Sequence, residues 1–438
     1  MVNMCRTIDF FKELSSIPRE SGNESRIADY IETFALDNNL DYQRDKYNNI
    51  IIFKYVDRKE PVILQCHLDM VCVKDEDKDF DFKKDSIEII ERDGYLCANG
   101  TTLGADNGIG VAQILNVLAN YNFSIEAIFT TNEETTMEGA MNIDLTKIRG
   151  RRMLNLDGFK SDTILIESAS FTDLNIKLNY SYEKNKKNNL YKITIEGLKG
   201  GHSGFDIDDD RGNSIILLSQ MLLNLDNVRI ADFVGGTKIN VIPSYAYAII
   251  ETSSDLSSLD SVRAEKISEH IPVLSIEDSR NLLNFLSNFR HGVISKNKRN
   301  EVTTSMNLAT ISLRNNLITV GLRSSIENER QEVLSYIKGY CNKYELIISG
   351  YQPGFRTSED SNIVKDLVES YKSFNTNSPN IESVHISVEV GLLIEKIPKL
   401  EVAIISPNII GAHSTEERVE IKSIFRCDQW LINYLNLE

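Results

Sequence analysis

The sequence lacks a long apolar run and lacks an excess of positive charge. No stretch approaches the ~18 consecutive apolar residues that predict a transmembrane helix. Lys and Arg number 48 against 64 Asp and Glu, which gives a net charge of -16 and an isoelectric point near 5.0. Because phosphate backbones and anionic lipids are bound by basic surfaces, we expect no nucleic-acid partner and no membrane partner.

Paired cysteines and a signal sequence are also missing. The six cysteines include no Cys-x-x-Cys pair, which in a chain of 438 residues favours reduced thiols over a disulfide framework. The first nine residues lack the basic region and the long apolar region of a secretory signal peptide. We therefore expect a cytoplasmic protein.

What the sequence does contain is the composition of a globular protein, with 41% hydrophobic and 26% charged residues. Its 438 residues exceed the ~250–300 residues at which single cores stop growing, so two domains are expected. Helix and strand signals alternate in residues 1–170 and 355–438, whereas long alternating strands dominate residues 171–354. The sequence predicts an α/β domain, with a mixed, mostly parallel sheet flanked by helices, and an inserted α+β domain.

The stretch from Val62 to Asp69 predicts a buried strand that ends in two polar side chains. Side chains two residues apart on a strand point to the same face, so His67 and Asp69 are expected to project together from its carboxyl end. Ligands of open α/β sheets bind at that end, and a metal-bound His commonly donates its other N–H to a carboxylate. For the tripeptide at 67–69 alone, the simpler interpretation is a core histidine whose ring is hydrogen-bonded to Asp69.

Further acidic and histidine side chains follow predicted strands or open predicted helices. Asp106 lies in a glycine-flanked turn, residues 100–110, ahead of an apolar helix that begins at Val111; glycine lets backbone approach a ligand closely. The other members follow strands: Glu133 and Glu134 after 126–131, Asp157 after 152–156, and His413 after 402–405. Two histidines and three carboxylates above one sheet suit a pair of divalent metal ions, with one carboxylate bridging them.

The adjacent pair Glu133 and Glu134 suits such a site. A packed core would not place two repelling carboxylates side by side, whereas next to a metal pair one can bind metal while the other acts as a base. For the dipeptide alone, a solvated surface pair is the simpler interpretation. The ordered set of five positions is much more specific than any one of its members.

Three glycine-rich motifs join these residues to a known family. They are residues 100–110, Gly-Leu-Lys-Gly-Gly-His-Ser-Gly at 197–204 and Gly-Ala-His-Ser at 411–414, with support from 235–243 and 322–325. Over nearly its whole length, the chain resembles the metallopeptidase family of zinc aminoacylases, glutamate carboxypeptidases, tripeptidases and carnosinases. More closely, it resembles the cytosolic Xaa-His dipeptidases, a subfamily also called aminoacylhistidine dipeptidases or peptidase D.

The resemblance implies a dipeptidase whose zinc-peptidase-type catalytic domain carries an inserted lid and dimerisation domain. It implies a homodimer, a small dipeptide as substrate, and two Zn²⁺ per chain, for which Mn²⁺ or Co²⁺ can substitute. The implied metal ligands are the five positions named above: His67 and Asp157 on one ion, Glu134 and His413 on the other, and Asp106 between them.

The resemblance also assigns catalytic roles. Asp69 would orient His67, Glu133 would take a proton from the attacking water, and His202 would donate to the developing oxyanion. Related dimeric enzymes supply the equivalent histidine across a two-fold interface. His270 and His291 match no catalytic motif and are expected to be structural.

Substrate recognition is assigned to three further residues. Arg323 is a candidate for the terminal carboxylate, which Arg binds bidentately, with Asn240 beside it, and Glu389 is a candidate for the free amino group. Three stretches depart from the subfamily pattern: 206–210 lacks the usual histidine, 385–391 reads His-Ile-Ser-Val-Glu-Val-Gly, and the Glu-Glu segment continues Thr-Thr-Met-Glu-Gly. None of these departures removes a metal ligand, but they leave the preferred dipeptide open.

Two other functions fit parts of the sequence. An N-acyl-amino-acid amidohydrolase would use the same metal residues but would recognise an acyl chain in place of a free amine. An acidic residue for the amine favours the peptidase. A non-catalytic binding protein with a residual metal site would have lost the base or the bridge, yet Glu133 and Asp106 are both present.

Overall fold

The computed structural model describes residues 5–57, 59–185, 190–254, 256, 262–269 and 271–437. His270 lies outside the described residues. The chain forms two compact units. Unit 1 combines the chain up to Glu167 with Phe355–Ser383 and the chain from Val388 onward, and unit 2 combines Ser168–Gly354 with Val384–Ser387.

The helices of the described chain divide between the two units. They are α1 (Cys5–Ser15), α2 (Ser25–Asp37), α3 (Ala105–Asn120), α4 (Glu138–Asn142), α5 (Ser214–Leu223), α6 (Ile276–Ser287), α7 (Glu327–Tyr340), α8 (Asn362–Lys372), α9 (Val390–Lys396) and α10 (Ile421–Leu437). None of these helices combines the length and apolarity needed to span a membrane.

Within the described residues, the strands belong to one large sheet in each unit and to three small sheets. They are β1 (Asp41–Arg44), β2 (Ile50–Lys54), β3 (Val62–His67), β4 (Ile89–Arg92), β5 (Tyr95–Ala98), β6 (Ile125–Thr130), β7 (Arg152–Asn155), β8 (Thr163–Ser168), β9 (Ser170–Lys177), β10 (Tyr182–Glu183), β11 (Leu190–Ile195), β12 (Gly201–His202), β13 (Arg229–Gly235), β14 (Val241–Ile242), β15 (Ala246–Glu251), β16 (Arg263–Ile267), β17 (Val273–Leu274), β18 (Gly292–Lys296), β19 (Val302–Ser312), β20 (Leu317–Ser324), β21 (Glu345–Gln352), β22 (Asn380–Val384), β23 (Glu401–Ile404), β24 (Ile409–Ile410) and β25 (Arg418–Glu420).

The large sheet of unit 1 has the order β1-β2-β6-β3-β7-β23-β8-β22. Its four central strands run parallel: β3 pairs with β6 and β7, and β23 pairs with β7. Strands β2 and β8 run antiparallel to their central neighbours. The mixed, mostly parallel α/β sheet predicted from the sequence is thereby confirmed.

Burial explains why the central strands form where they do. Every residue of β3 and of β6 is buried, as expected for strands covered on both faces. Helix α2 buries Ile27, Ile31 and Phe34, the apolar face that the sequence predicted. These residues belong to one hydrophobic core that includes side chains of α1, α3, α8 and α10.

Unit 2 is built on an antiparallel sheet of order β16-β11-β15-β13-β19-β20-β9-β21, to which β18 adds by pairing with β19. Its own core includes Leu218 of α5, Leu282 of α6 and Val333 of α7. His291 lies in this unit, where its Nδ1 accepts a hydrogen bond from the Leu308 N–H. That this unit serves as a lid stays a prediction.

Two local expectations differ from the structure. The helix expected from Val111 begins at Ala105 and departs from helical geometry at Asp106 and Asn107, whose connecting peptide bond is cis. Glycines in this stretch weaken the local helix signal, so the sequence pattern missed the first turns. His413 does not follow the strand β23 directly, because β24 intervenes and His413 lies in the turn before β25 at φ 64°.

Candidate metal centre and active site

The sheet topology brings the predicted metal residues of unit 1 to one edge. His67 is the last residue of β3 and pairs in register with Thr130, the last residue of β6. Glu134 follows β6 and Asp157 follows β7, and both strands run parallel to β3. Since parallel strands end at the same edge, these side chains emerge together above the carboxyl end of the sheet.

Asp106 is the centre of the cluster, with one oxygen facing each histidine. Its Oδ1 lies 3.1 Å from His67 Nε2, and its Oδ2 lies 3.0 Å from His413 Nε2. Asp157 Oδ1 lies 3.7 Å from His67 Nε2, and Glu134 Oε1 lies 2.9 Å from His413 Nε2. The five residues thus form two sets, each with one histidine and one carboxylate, that share Asp106.

This donor set fits divalent metal ions. Two ligands of one tetrahedral zinc ion, each ~2.0–2.1 Å from the metal, lie about 3.3 Å apart. The distances of 2.9–3.7 Å between ligand atoms in both sets match that spacing. Imidazole and carboxylate are ligands that suit zinc and neighbouring transition metals. One ligand atom each of His67, Asp106 and Glu134 lies within 4.8 Å of the others.

The electrostatics of the cluster favour positive charge. Burial lowers the pKa of His413, but hydrogen bonds with Asp106 and Glu134 outweigh it and raise the pKa to about 11. Burial raises the pKa of Asp106, yet its hydrogen bonds with His413 and His67 hold that pKa well below the usual range. Three carboxylates packed against two histidines therefore create a field that a bound cation would satisfy.

Asp69 links His67 to the Glu133–Glu134 segment. His67 Nδ1 lies 3.1 Å from the Asp69 carbonyl oxygen and 3.4 Å from Asp69 Oδ1, so backbone and side chain both face the ring. The Asp69 carboxylate accepts hydrogen bonds from the backbone N–H groups of Glu133, at 3.0 Å, and Glu134, at 3.2 Å. It also accepts one from the Ser21 hydroxyl at 2.7 Å. Asp69 therefore fixes both the histidine and the segment that carries the two glutamates.

The Glu133 carboxyl lies among other acidic groups. Burial raises its pKa well above the usual range, and the negative charges of Asp157, Glu389 and Glu134 raise it further, against a lowering effect of His67. A carboxylate in this environment takes up a proton more readily than one in water.

Glu389 lies in the interior of unit 1, with 0% of its surface exposed. Its Oε1 accepts hydrogen bonds from Gln65 Nε2 and, at 2.7 Å, from the Thr130 hydroxyl. Burial raises its pKa to about 7. Its Oε2 is buried and has no hydrogen-bond partner among the described residues.

Unit 2 brings together the other three predicted site residues. His202 in β12 pairs with Val241, next to Asn240, whose carbonyl accepts from the Ser203 N–H at 2.8 Å. Arg323 Nε donates to the Ser203 hydroxyl at 3.4 Å. His202 Nδ1 accepts from the backbone N–H groups of residues 204 and 205, at 3.1 and 3.3 Å, so in the neutral ring its proton lies on Nε2.

Arg323 is buried, with 4% of its surface exposed, and its guanidinium stacks on the Phe171 ring at 4.3 Å. Burial lowers its pKa to about 10, and its NH1 has no hydrogen-bond partner within the described residues. Nearby His385, which the sequence analysis did not assign, holds Ser305 Oγ at 2.7 Å from its Nε2. Its Nδ1 is likewise buried without a partner among the residues described. Buried polar atoms without a partner are costly unless a ligand or water completes their hydrogen bonds.

Sequence reasoning missed two buried charged residues of unit 1, Arg19 and Glu417, each 2% exposed. Arg19 binds backbone atoms of the segments that carry His67 and Asp106, and Glu417 binds backbone N–H groups of the Asp106 segment. The available signal was their position: Arg19 lies in the break between the first two helices, and Glu417 lies four residues after His413.

Comparison with known proteins gives the family. Peptidase family M20/M25/M40 matches residues 63–436. Cytosol non-specific dipeptidase of Escherichia coli (strain K12) is 31% identical, over 95% of this chain and 94% of its own. The crystal structure of aminoacylhistidine dipeptidase from Vibrio alginolyticus is similar with a TM-score of 0.84 and 29% identity, covering 99% of this chain and 96% of that one.

A more distant structure agrees on the fold. An aminopeptidase from Bacillus cereus is similar with a TM-score of 0.60 and 14% identity, covering 99% of this chain and 98% of its own. Both the motifs in the sequence and the matched length lead to one assignment: the chain belongs to peptidase family M20/M25/M40 and is a metallopeptidase.

Proposed function

We propose that this protein hydrolyses the peptide bond of dipeptides with the help of two divalent metal ions, zinc first among them. The observation that carries the proposal is the arrangement of Asp106, whose two oxygens face His67 and His413 at 3.1 and 3.0 Å. Dipeptides are favoured as substrates because the Escherichia coli and Vibrio alginolyticus relatives are named as dipeptidases.

The distances between the side chains support a division of the ligands into two sets. His67 and Asp157 would hold one ion, His413 and Glu134 the other, and Asp106 both. When bound, the two ions supply the Lewis acidity that lowers the pKa of a water molecule and polarises the scissile carbonyl. Manganese or cobalt can serve in the same ligand set.

Glu133 is proposed as the general base. Its carboxylate takes a proton from the attacking water and later passes that proton to the leaving amine nitrogen. Its raised pKa, caused by burial and by the neighbouring acidic groups, supports this role because a general base must hold the proton that it abstracts. Asp69 supports it indirectly by holding the Glu133 backbone N–H.

The substrate ends are assigned to charged groups of opposite sign. Arg323, with its unpartnered NH1, would bind the terminal carboxylate, and Asn240 would assist it. Glu389 would accept from the free amino group through its unpartnered Oε2. His202 would donate from Nε2 to the oxyanion that develops on the carbonyl.

We further propose a cytoplasmic location, a homodimer, and no binding of nucleic acid or membranes. The location follows the Escherichia coli relative, which is named as a cytosol enzyme. The acidic net charge of -16 opposes binding to phosphate backbones and anionic lipids.

The test couples metal analysis to a substrate panel. The purified protein is stripped with a chelator, reloaded with Zn²⁺, Mn²⁺ or Co²⁺, and assayed on dipeptides, tripeptides and N-acetyl amino acids. We expect two ions per chain and hydrolysis of dipeptides with a free amino group. Faster hydrolysis of N-acetyl amino acids would support the amidohydrolase. Two bound metals without any turnover would support a binding protein.

A further inference from the structure

Arg19 joins the two segments that carry His67 and Asp106. Its NH1 donates to the carbonyl oxygens of Leu68 and Asp69, each at 3.1 Å, directly after the strand that ends in His67. Its NH2 donates to the carbonyl oxygen of Gly104, two residues before Asp106. One buried guanidinium therefore bridges two backbone segments that are more than thirty residues apart in sequence.

Glu417 holds the Asp106 segment from the other side. Its Oε2 accepts from the backbone N–H groups of Leu103, at 2.8 Å, and Gly104, at 2.9 Å, and its Oε1 accepts from the Asp106 N–H at 3.2 Å. These N–H groups precede or open helix α3, where the helix itself supplies no acceptors. The carboxylate comes from the turn that carries His413, so it also ties that turn to Asp106.

The glycines of the motif at 100–110 make room for this arrangement. Gly104 has φ +70°, and a Cβ there would collide with Arg19 NH2. A Cβ on Gly108 would lie 2.6 Å from the same NH2 and 3.0 Å from the Phe11 ring. The motif is thus shaped around the guanidinium as well as around Asp106 itself.

We infer that Arg19 and Glu417 are positioning residues that set the place of Asp106 relative to His67 and His413, and thereby the affinity for both metal ions. The inference rests on the proposed function, because it takes these three residues as metal ligands. Arg19 fixes Asp106 against the His67 segment, and Glu417 fixes it against the His413 turn. Since Asp106 belongs to both ligand sets, moving it weakens both.

The test measures metal affinity and apo-protein stability in parallel. The first variant is Glu417→Gln, which keeps the shape of the side chain but presents an amide to the three N–H groups. The second is Arg19→Lys, which keeps the charge but loses the planar guanidinium that donates to several carbonyl oxygens at once. Changes to groups that orient metal ligands typically cost ~10–100-fold in metal affinity. We expect a loss of that size for both ions, measured by competition with a chromophoric chelator for Zn²⁺ on chelator-stripped protein.

Exposed neighbours provide matched controls. Glu416→Gln and Arg26→Lys make the same substitutions at exposed positions and should bind Zn²⁺ as the parent does. A residue that only stabilises the fold would lower the melting temperature of the apo-protein without changing Zn²⁺ affinity or the temperature rise on Zn²⁺ binding. That pattern in Glu417→Gln or Arg19→Lys would overturn the inference.

The two variants keep the test decisive if one of them does not fold, because either alone reports on Asp106. Metal binding by the parent protein distinguishes a failure of the proposed function from a failure of the positioning roles. A parent that binds no Zn²⁺, Mn²⁺ or Co²⁺ refutes the proposed function. A parent that binds two ions, with variants that bind them equally well, refutes the positioning roles alone.

Discussion

At the scale of single residues, Glu133 offers the sharpest test of whether a site residue acts as a base or binds metal. Glu133→Gln is nearly isosteric but cannot take up a proton, so we expect a rate loss of ~10²–10⁴-fold with near-normal metal content. The measurement is kcat on a dipeptide together with metal analysis of the same sample. Exposed Glu138→Gln, in the adjacent helix α4, is the matched control and should behave as the parent.

Two other results for Glu133→Gln would contradict the assignment. Turnover at the parent rate would place the base elsewhere. Loss of one metal ion with normal folding would mean that Glu133 and Glu134 have exchanged roles.

The variant Asp106→Asn tests whether Asp106 is shared by the two metal ions. Asp106→Asn replaces a charged group that faces both histidines with a neutral amide, so we expect loss of activity and of most bound metal while the fold is retained. Metal analysis after dialysis and circular dichroism measure the two properties. Asp77→Asn, in an exposed loop, is the control. Two tightly bound ions per chain in Asp106→Asn would rule out the bridging role.

At the scale of elements, the sequence predicted best those that carry a local signal. The apolar run of β3 and the amphipathic face of α2 were both found where the pattern placed them. The first turns of α3 were missed because Gly108 and Gly110 weaken helix propensity, and tertiary contacts stabilise the helix there instead.

The difference between local sequence signals and tertiary contacts also applies to the residues of the candidate site. His67, Glu134 and Asp157 could be placed in advance because each lies at or just after the end of a predicted strand of one sheet. Arg19 and Glu417 could not, because their partners are backbone atoms 49 to 314 residues away, and no side-chain pattern reports such contacts. The turn of His413 joins β24 to β25, and its place depends on the equally non-local pairing of β25 with β5.

Three helices meet at one buried carboxyl group, which gives a prediction on stability. Asp428 of α10 accepts from the Thr7 hydroxyl of α1, at 2.7 Å, and from Gln113 Nε2 of α3, at 2.8 Å. Burial raises its pKa to about 7. The folded state therefore favours the protonated form, and the stabilisation present below the unfolded pKa of ~3.9 is lost as pH rises towards 7.

Asp428→Asn removes this titration. Relative to the parent, the variant should gain on the order of 2–3 kcal/mol in the free energy of unfolding between pH 5 and pH 8. Urea denaturation at both pH values measures it. Exposed Asp9→Asn, on α1, is the control and should follow the parent at both. A constant difference between Asp428→Asn and the parent across this range would show that Asp428 does not titrate there.

At the scale of the whole molecule, unit 1 is assembled from both ends of the chain. Arg19 and Glu417 both bind the backbone of Gly104: Arg19 donates to its carbonyl oxygen, and Glu417 accepts from its N–H. The backbone around Asp106 therefore has both of its charged partners only when the chain that follows unit 2 has packed against the chain that precedes it.

His202 of unit 2 is the proposed oxyanion donor, and the loop that carries it fixes the tautomer of its neutral ring. Because Nδ1 accepts from two backbone N–H groups, Nε2 carries the proton. We expect His202→Ala to lower kcat by roughly two orders of magnitude, the effect of one lost oxyanion donor, with both metals retained. Lys199→Ala, exposed in the same loop, is the control and should leave kcat unchanged.

Mixing two inactive variants tests whether His202 acts on its own chain or on a partner in a homodimer. His202→Ala chains keep Glu133, and Glu133→Gln chains keep His202. A closed two-fold dimer would offer each chain's His202 to the other, so a mixed dimer would contain one complete site, and activity would return to a fraction of the parent. Native mass spectrometry establishes that mixed dimers have formed. If they have formed and activity does not return, His202 serves its own chain, and a chain that stays monomeric at assay concentration excludes the shared site altogether.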